Sequence, residues 1–243
     1  MIQNRVKELS CRRWPMEGIA NFRDLGGYPC SDGVTKYGVF FRSTSLDRAT
    51  VQDISCLENI GITSVIDLRY PHEAREYPDK LGGKIKYYNC SFMGDTPLER
   101  LKVVNNTVRD TKTLIRMYKM MLQNGGEEIR RAFQILANEE GAVLFHCAAG
   151  KDRTGVLAML LLSIAGVEKE DICVDYQCSS TYIARFTEDI SGSCITNMQH
   201  LLCWMEDRWG STISYLESIG ISKKNIQKIK IKFVNYSDLY VNG

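Results

Sequence analysis

Short apolar runs alternate with amphipathic segments through the first half of the chain. Residues 39–41, 64–68 and 85–90 are short and mainly apolar or alternating, which is the pattern of strands. Residues 51–60 instead repeat apolar side chains at helical spacing. Strands that alternate with helices in this way predict an α/β fold.

The second half of the chain is mainly helical in pattern and contains one very apolar segment. Residues 142–145 are wholly apolar, as in a strand buried at the centre of a sheet. The apolar helix predicted at 156–164 ends near Gly166. Residues 223–233 fit either a strand or a helix, and we favour the helix. Other helices are predicted at 113–123, 127–138, 170–179, within 197–208 and at 212–219.

The composition is that of a globular protein, since 44% of the 243 residues are hydrophobic and 25% are charged. No internal repeat or linker rich in glycine and proline divides the chain. We therefore expect one domain over 1–243, with its core at about 14–233. The net charge of +2 gives no general attraction for nucleic acid, so we expect no nucleic-acid partner. The oligomeric state is not indicated.

The sequence also bears on location. Its longest apolar stretch, 156–162, is too short to cross a bilayer, and residues 1–10 lack the apolar centre of a signal peptide. We expect no integral membrane segment and a cytoplasmic location, with export by a leaderless route left open. The nine cysteines are scattered without tight pairing, as in a reducing compartment. We expect no metal site and no cofactor.

The candidate chemistry lies in residues 146–155, which read HCAAGKDRTG between the apolar strand and the apolar helix. At Cys147, the backbone N–H groups of 148–153 can turn inward around an anion, and the positive end of the helix lowers the pKa of a cysteine. Arg153 follows six residues later, so its planar guanidinium can make two parallel hydrogen bonds to a bound phosphate. The small residues Ala148, Ala149 and Gly150 let the backbone approach the anion closely.

The other side chains of this loop have supporting interpretations. Thr154 can donate its hydroxyl to the Cys147 thiolate. His146 points into the protein if Cys147 points at substrate, so we expect it to brace the loop and not to act as a base. Lys151 adds a positive charge that favours substrates with a second phosphate, or else it only neutralises Asp152.

The loop is similar to the HCxxGKDRTG loop of the atypical tyrosine-phosphatase-like family, whose bacterial members act on phosphotyrosine, phosphoserine or phosphothreonine, and phosphoinositides. Residues 21–28 (NFRDLGGY), 42–46 (RSxxL) and 65–73 (viDLRxxxE) resemble further family motifs, and Asp175 and Tyr176 match other family positions. The resemblance implies a central, mostly parallel sheet flanked by helices. It also implies a phosphatase whose partner is a phosphorylated protein or a phosphoinositide, and the thiol predicts a cysteinyl-phosphate intermediate.

Two aspartates are candidates for the general acid that protonates the leaving group. Familiar tyrosine phosphatases place this residue on a separate mobile loop, for which Asp95 is the candidate. Asp152 lies inside the phosphate loop, where the neighbouring cations favour its ionised form and a bound phosphate dianion favours its protonated form. Electrostatics does not choose between the two aspartates. The resemblance of the GKDRTG segment favours Asp152.

Several outlying features have more than one interpretation. Arg23 and Asp24 form a structural ion pair, or else they contact substrate. Arg69 and Glu73 are interpreted as structural. Residues 182–209 form a helical lid over the site, as bacterial relatives carry there, or else they pack as ordinary core.

Two alternative functions compete with a phosphatase. A non-catalytic module would use the same loop to recognise phosphorylated partners, but such modules usually lack the nucleophile, the arginine or the acid. A sulfurtransferase or an arsenate reductase would use the thiol for redox chemistry. Those reactions do not require a loop arginine beside a loop aspartate, and no resolving cysteine is evident nearby.

Overall fold

The computed structural model describes residues 12–92, 111–184 and 194–236, and a five-stranded sheet forms the centre of these residues. In spatial order its strands are β1 (Arg23–Asp24), β4 (Phe40–Ser43), β7 (Ala142–His146), β5 (Ile62–Asp67) and β6 (Lys86–Asn89). Strands β4, β7, β5 and β6 pair in parallel, and β1 is an antiparallel edge strand. The predicted α/β fold with a mostly parallel sheet is confirmed.

A second, three-stranded antiparallel sheet lies outside this centre. It consists of β2 (Pro29–Cys30), β3 (Gly33–Thr35) and β8 (Val234–Tyr236). Strand β3 pairs with both of the others, so it joins an early segment of the chain to a late one. The sequence pattern did not predict these short strands.

Helices surround the central sheet. Those in the described ranges are α1 (Val51–Asn59), α2 (Pro71–Glu76), α3 (Thr111–Asn124), α4 (Gly126–Asn138), α5 (Asp152–Ala165), α6 (Lys169–Ile183), α7 (Ile195–Trp209), α8 (Thr212–Ser218) and α9 (Lys223–Phe233). The helix favoured for 223–233 is therefore confirmed. None of the helices in these ranges has both the length and the apolar character that a bilayer crossing requires.

The central strand β7 is buried on both of its faces. Val143 and Phe145 belong to the larger apolar core, whereas Ala142 and Leu144 belong to a second core on the other face. Successive side chains of a strand point to opposite faces, so a strand covered by helices on both sides must be apolar throughout. This arrangement explains the unbroken apolar run in the sequence, and it places the end of β7 in the middle of the molecule.

Helix α7 covers most of the segment interpreted as a lid. Its Met198, Leu201 and Met205 are buried in the larger core, where α7 packs against α3 and α6. This packing favours the alternative of ordinary core for α7. Residues 185–193 lie outside the described residues, and closure over the site stays a prediction.

Candidate active site

The loop after β7 lies at the carboxyl ends of the parallel strands, where open α/β sheets bind their ligands. Strand β7 ends at His146 and α5 begins at Asp152, so the loop joins a buried strand to the N-terminus of a buried helix. Cys147 is only 2% exposed, whereas Ala148 is exposed. The thiol is therefore almost wholly buried at the start of the loop.

A cleft of about 430 Å³ opens beside this loop. Its wall includes Ala148 and Ala149 from the loop, Ser45 from the segment after β4, and His72 and Glu73 from α2. Small-molecule sites in proteins commonly measure about 300 to 1,000 Å³. The cleft is thus large enough for a phosphorylated side chain or a small headgroup.

The surroundings of Cys147 favour its thiolate. Burial by itself raises the pKa of this thiol, but the charge of Arg153 and the hydroxyl and N–H of Thr154 lower it by more. The net pKa lies below the ordinary value of cysteine, although the negative charge of Asp152 opposes the change. A thiolate at neutral pH is the form that attacks phosphorus or binds a soft electrophile.

Arg153 is held by a carboxylate on α2. Its Nη1 donates to Glu73 Oε2 at 2.5 Å and its Nη2 donates to Oε1 at 3.0 Å, and the guanidinium lies 5.6 Å from the ring centre of Tyr70. Burial raises the pKa of Glu73, but the two hydrogen bonds and the charge of Arg153 lower it to below the ordinary value. Glu73, interpreted from the sequence as structural, thus orients the candidate phosphate clamp.

Asp152 is bound by a tyrosine that the sequence analysis did not consider. The Tyr118 hydroxyl donates to Asp152 Oδ1, and it lies 2.6 Å from the hydroxyl of Tyr176. Burial raises the pKa of both tyrosines, so both remain protonated donors. On the other side, Lys151 Nζ lies 4.0 Å from Asp152 Oδ2, and the Lys151 side chain is 1% exposed. This burial favours the alternative in which Lys151 neutralises Asp152.

The turn of the loop is tied to residues behind it. Gly150 has a left-handed φ of +62°, and a Cβ at this position would lie 2.1 Å from the carbonyl oxygen of Ser43. A side chain is excluded there by both conformation and space. The Gly150 carbonyl accepts hydrogen bonds from Asn21 Nδ2 and from Arg42 Nη2, each at 2.8 Å.

A buried carboxylate on α6 anchors two arginines behind the loop. Asp175 accepts from Arg23 Nε at 3.0 Å and from Arg42 Nη1 at 2.5 Å, and Tyr28 donates to it at 3.2 Å. Burial would raise the pKa of Asp175, but the two guanidinium groups lower it to about 2. The carboxylate is therefore ionised across the physiological range.

His146 lies buried at the start of the loop, and the bracing role expected from its position stays a prediction. Its Nε2 lies 2.9 Å from Asp79 Oδ2, and its Nδ1 lies 3.2 Å from the carbonyl of Cys147. Burial lowers the pKa of this imidazole, but Asp79 and Asp67 raise it by more. Asp67, Asp79 and His146 bring three possible metal ligands within 4.8 Å of one another. Arg69 already lies against both carboxylates, at 2.7 and 3.0 Å, so its guanidinium supplies the positive charge there.

The interpretation of Arg23 and Asp24 as an ion pair with each other is wrong. Arg23 does not pair with Asp24, because its partner is Asp175. Asp24 instead accepts from the backbone N–H groups of Gly26 and Gly38, each at 2.7 Å, and burial raises its pKa to about 6 in spite of these bonds. Adjacent residues of a strand point to opposite faces, and both belong to β1.

The candidate residues fall into three groups. The structure brings together the loop residues 146–154, and it adds Glu73, which lines the cleft, and the buried Tyr118. Asp95, the alternative acid, lies outside the described residues. Asn21, Arg42 and Asp175 were missed as site residues, although all three lie in segments that resemble family motifs. The sequence did not indicate a role for Tyr118 in the site, because this residue lies on the apolar face of an amphipathic helix.

The chain matches a family model and several known proteins. The model of the tyrosine phosphatase family matches residues 14–235. A tyrosine-protein phosphatase of Nostoc commune is 31% identical in an alignment of 218 positions, gaps included, that covers 79% of this chain and 73% of that protein. The triple specificity protein phosphatase PtpB of Mycobacterium tuberculosis is 24% identical in an alignment of 271 positions, gaps included, that covers 88% of this chain and 96% of that protein.

Among solved structures, the chain is similar to the core catalytic domain of the PP-IP phosphatase SIW14 from S. cerevisiae. The TM-score is 0.41 and the identity is 17%, over 76% of this chain and 93% of that one. The family model covers the central sheet, the loop and the helices around them. This protein therefore belongs to the tyrosine phosphatase family.

Proposed function

We propose that this protein is a cysteine-dependent phosphatase that hydrolyses phosphomonoesters through a cysteinyl-phosphate intermediate. The observation that carries the proposal is the buried Cys147 thiol, whose pKa is lowered by Arg153 and Thr154 at the N-terminus of α5. A thiolate beside a guanidinium is suited to attack a phosphoryl group that the same guanidinium binds. Membership of the tyrosine phosphatase family supports the same class of reaction.

In the first step, the Cys147 thiolate attacks phosphorus opposite the ester oxygen. The S–P bond forms as the P–O ester bond breaks, and Asp152 gives a proton to the departing oxygen. Arg153 binds the phosphoryl oxygens. Glu73 accepts one N–H from Nη1 and one from Nη2, so three of the five N–H groups of the guanidinium are left for phosphate.

In the second step, water attacks the phosphorus of the cysteinyl-phosphate. The ionised Asp152 accepts a proton from this water as the P–S bond breaks. Inorganic phosphate leaves, and Cys147 is restored as the thiolate. The cycle balances without a metal ion or a redox partner.

The proposed substrates are phosphotyrosine and, beyond it, phosphoserine, phosphothreonine or phosphoinositides. The mycobacterial relative, which is named a triple specificity protein phosphatase, supports a range wider than phosphotyrosine. The cleft of about 430 Å³ has room for more than a phosphate group. A preference for substrates with a second phosphate, through Lys151, stays a prediction.

The test compares the wild type with Cys147→Ser on p-nitrophenyl phosphate, phosphopeptides and phosphoinositides at equal concentrations. We expect turnover of every substrate to fall by several orders of magnitude, because a serine hydroxyl is not ionised at neutral pH. Binding of tungstate, an unreactive phosphate mimic, should persist. Substantial turnover by Cys147→Ser, or loss of wild-type activity in a chelator, would contradict the scheme. A wild type that binds tungstate without turnover would be a recognition module.

A further inference from the structure

Successive carbonyl groups of the phosphate loop are held by donors that lie behind it. Ser45 N–H donates to the carbonyl of Ala148 at 3.1 Å. The side-chain amide of Asn21 lies next to the two carbonyls that follow, since its Nδ2 is 2.8 Å from Gly150 O and 3.4 Å from Ala149 O. Each of these three carbonyls therefore has a donor outside the loop.

These donors belong to two segments that are bonded to each other. Thr44 N–H donates to the carbonyl of Ala20 at 2.9 Å, and Thr44 and Ala20 each lie next to one of the donor residues. The donors therefore approach the loop from one side. In a planar trans peptide, the C=O and the N–H that follows it point in opposite directions. The N–H groups of 149–151 accordingly face away from these segments, toward the inside of the loop.

The inward N–H groups are available for an anion. Among the described residues, no acceptor for the N–H groups of 149–151 is found outside the loop. The left-handed conformation of Gly150 is the kind of turn that makes successive N–H groups converge. Such a concave set of N–H groups binds the oxygens of a phosphate or a similar oxyanion.

The chemistry of its neighbours determines the orientation of the Asn21 side chain. Its Oδ1 faces Arg23 Nη1, and a guanidinium carries donors only, so the oxygen of the amide must face the arginine. The Nδ2 must then face the loop carbonyls. Asn21 also has a left-handed φ of 56°, a conformation that asparagine and aspartate adopt more readily than most residues.

We propose that Asn21 is a positioning residue for the phosphate loop. Its amide holds the carbonyls of Ala149 and Gly150 outward, so that the N–H groups of Gly150 and Lys151 face the phosphate before substrate arrives. A carbonyl that turned inward would place a negative dipole against the phosphate dianion and remove a donor. The inference rests on the proposed function, since the phosphate would be that of the substrate.

The test uses Asn21→Asp, which keeps the size of the side chain, its backbone preference and an oxygen for Arg23. It replaces the donor by an acceptor that repels the two loop carbonyls. The readouts are tungstate affinity, measured by calorimetry, and kcat/KM for p-nitrophenyl phosphate. An inward N–H group that turns away removes one hydrogen bond to the tungstate anion, and hydrogen bonds to charged groups are stronger than those between neutral groups. We therefore expect tungstate binding to weaken by about tenfold to a hundredfold, with a parallel loss in kcat/KM.

The matched control is Asp53→Asn, in the same N-terminal region. Asp53 accepts from the N–H groups of Glu17 and Gly18, each at 2.8 Å, and has no bond to the loop among the described residues. This change should lower the melting temperature and leave tungstate affinity unchanged. If Asn21→Asp does not fold, Asn21→Gly decides the question, because glycine adopts the left-handed conformation freely.

Unchanged tungstate affinity in the folded Asn21 variant overturns the positioning role. An equal loss of tungstate affinity in Asp53→Asn also overturns it, because the effect would then come from general loosening of the segment. A wild type without turnover would refute the proposed function alone. The tungstate comparison does not depend on turnover, so it decides the role of Asn21 in either case.

Discussion

The two sides of the phosphate loop are held by charged side chains in different ways. Behind the loop, Arg23, Arg42 and Asp175 are each at most 2% exposed, and one carboxylate bonds to both guanidinium groups. On the cleft side, the Arg153 and Glu73 side chains are 14% and 27% exposed. Water and phosphate can compete for the second set of bonds but not for the first. The back of the loop thus maintains its shape, while the front can exchange partners with substrate.

The largest effect is expected behind the loop, from Asp175→Asn. Removal of one charge from a buried ionic group leaves its partners uncompensated, which typically costs about 3–5 kcal/mol. We expect the free energy of unfolding, measured by urea denaturation, to fall by about this amount. Glu206→Gln is the control, because its ion pair with Lys169 is about half exposed and should contribute less than about 1 kcal/mol.

The pH dependence of the free energy of unfolding provides a more specific test of the role of Asp175. The pKa of Asp175 is about 2 in the folded protein, below its ordinary value of 3.8. A lowered pKa stabilises the fold above the ordinary value, and this stabilisation is lost as the pH falls from about 4 toward about 2. Asparagine does not titrate. The difference in stability between wild type and Asp175→Asn should therefore narrow over that window, and a constant difference would be evidence against this ionic role.

The next effect concerns the front of the loop and depends on the substrate. Asp152→Asn removes the proposed proton donor, and general acid catalysis typically contributes about 10² to 10⁴ in rate. We expect a loss of this size on an alkyl phosphate or a phosphoinositide. On p-nitrophenyl phosphate the loss should be small, because that leaving group is already acidic. The measurement is kcat/KM across esters with leaving groups of increasing pKa.

The variant Asp95→Asn tests whether the general acid is Asp95 instead of Asp152. If this variant shows the dependence on the leaving group and Asp152→Asn does not, the general acid lies on the separate segment. Tyr118→Phe provides a further check, since it removes the hydrogen bond to Asp152 Oδ1 and leaves the carboxylate in place. We expect this variant to reproduce only part of the effect of Asp152→Asn.

The smallest effect is expected from Glu73→Gln. A glutamine can still accept one hydrogen bond from Arg153, but it loses the charge and the second bond of the pair. Because this pair is partly exposed, we expect kcat/KM on p-nitrophenyl phosphate to fall by less than about tenfold. The measurement is kcat and KM, determined separately for Glu73→Gln and for the wild type. Rate constants that match those of the wild type would mean that Glu73 does not orient the guanidinium.

The sequence was sufficient for features that depend on local pattern. The apolar run at 142–145 became the buried centre of the sheet. The spacing from Cys147 to Arg153 spans the connection from that strand to the first turn of α5. At 223–233 the pattern fitted either a strand or a helix, and the helix that we favoured from apolar positions three or four residues apart is the one observed. Local rules were reliable where a few neighbours along the chain determine the conformation.

Partnerships between distant residues were not predictable in the same way. Arg23 was interpreted with its neighbour Asp24, yet its partner lies 152 positions away on α6. Tyr118 resembled one more core residue of an amphipathic helix, and only the packing of α3 against α5 brings its hydroxyl to Asp152. Charge and hydrogen bonding act over a few ångströms of space, so their partners depend on how the elements pack.

The sequence by itself predicted the α/β pattern, the position of the candidate nucleophile and the residues of the candidate phosphate loop. Those properties follow from side-chain chemistry and from spacing along one segment. Only the tertiary structure decided that Glu73 holds Arg153, that Lys151 is buried beside Asp152 and that Asn21 meets the carbonyl of Gly150. Each of these contacts joins segments that the chain separates, or depends on burial by such segments, and it exists because the parallel strands bring their ends to one edge of the sheet.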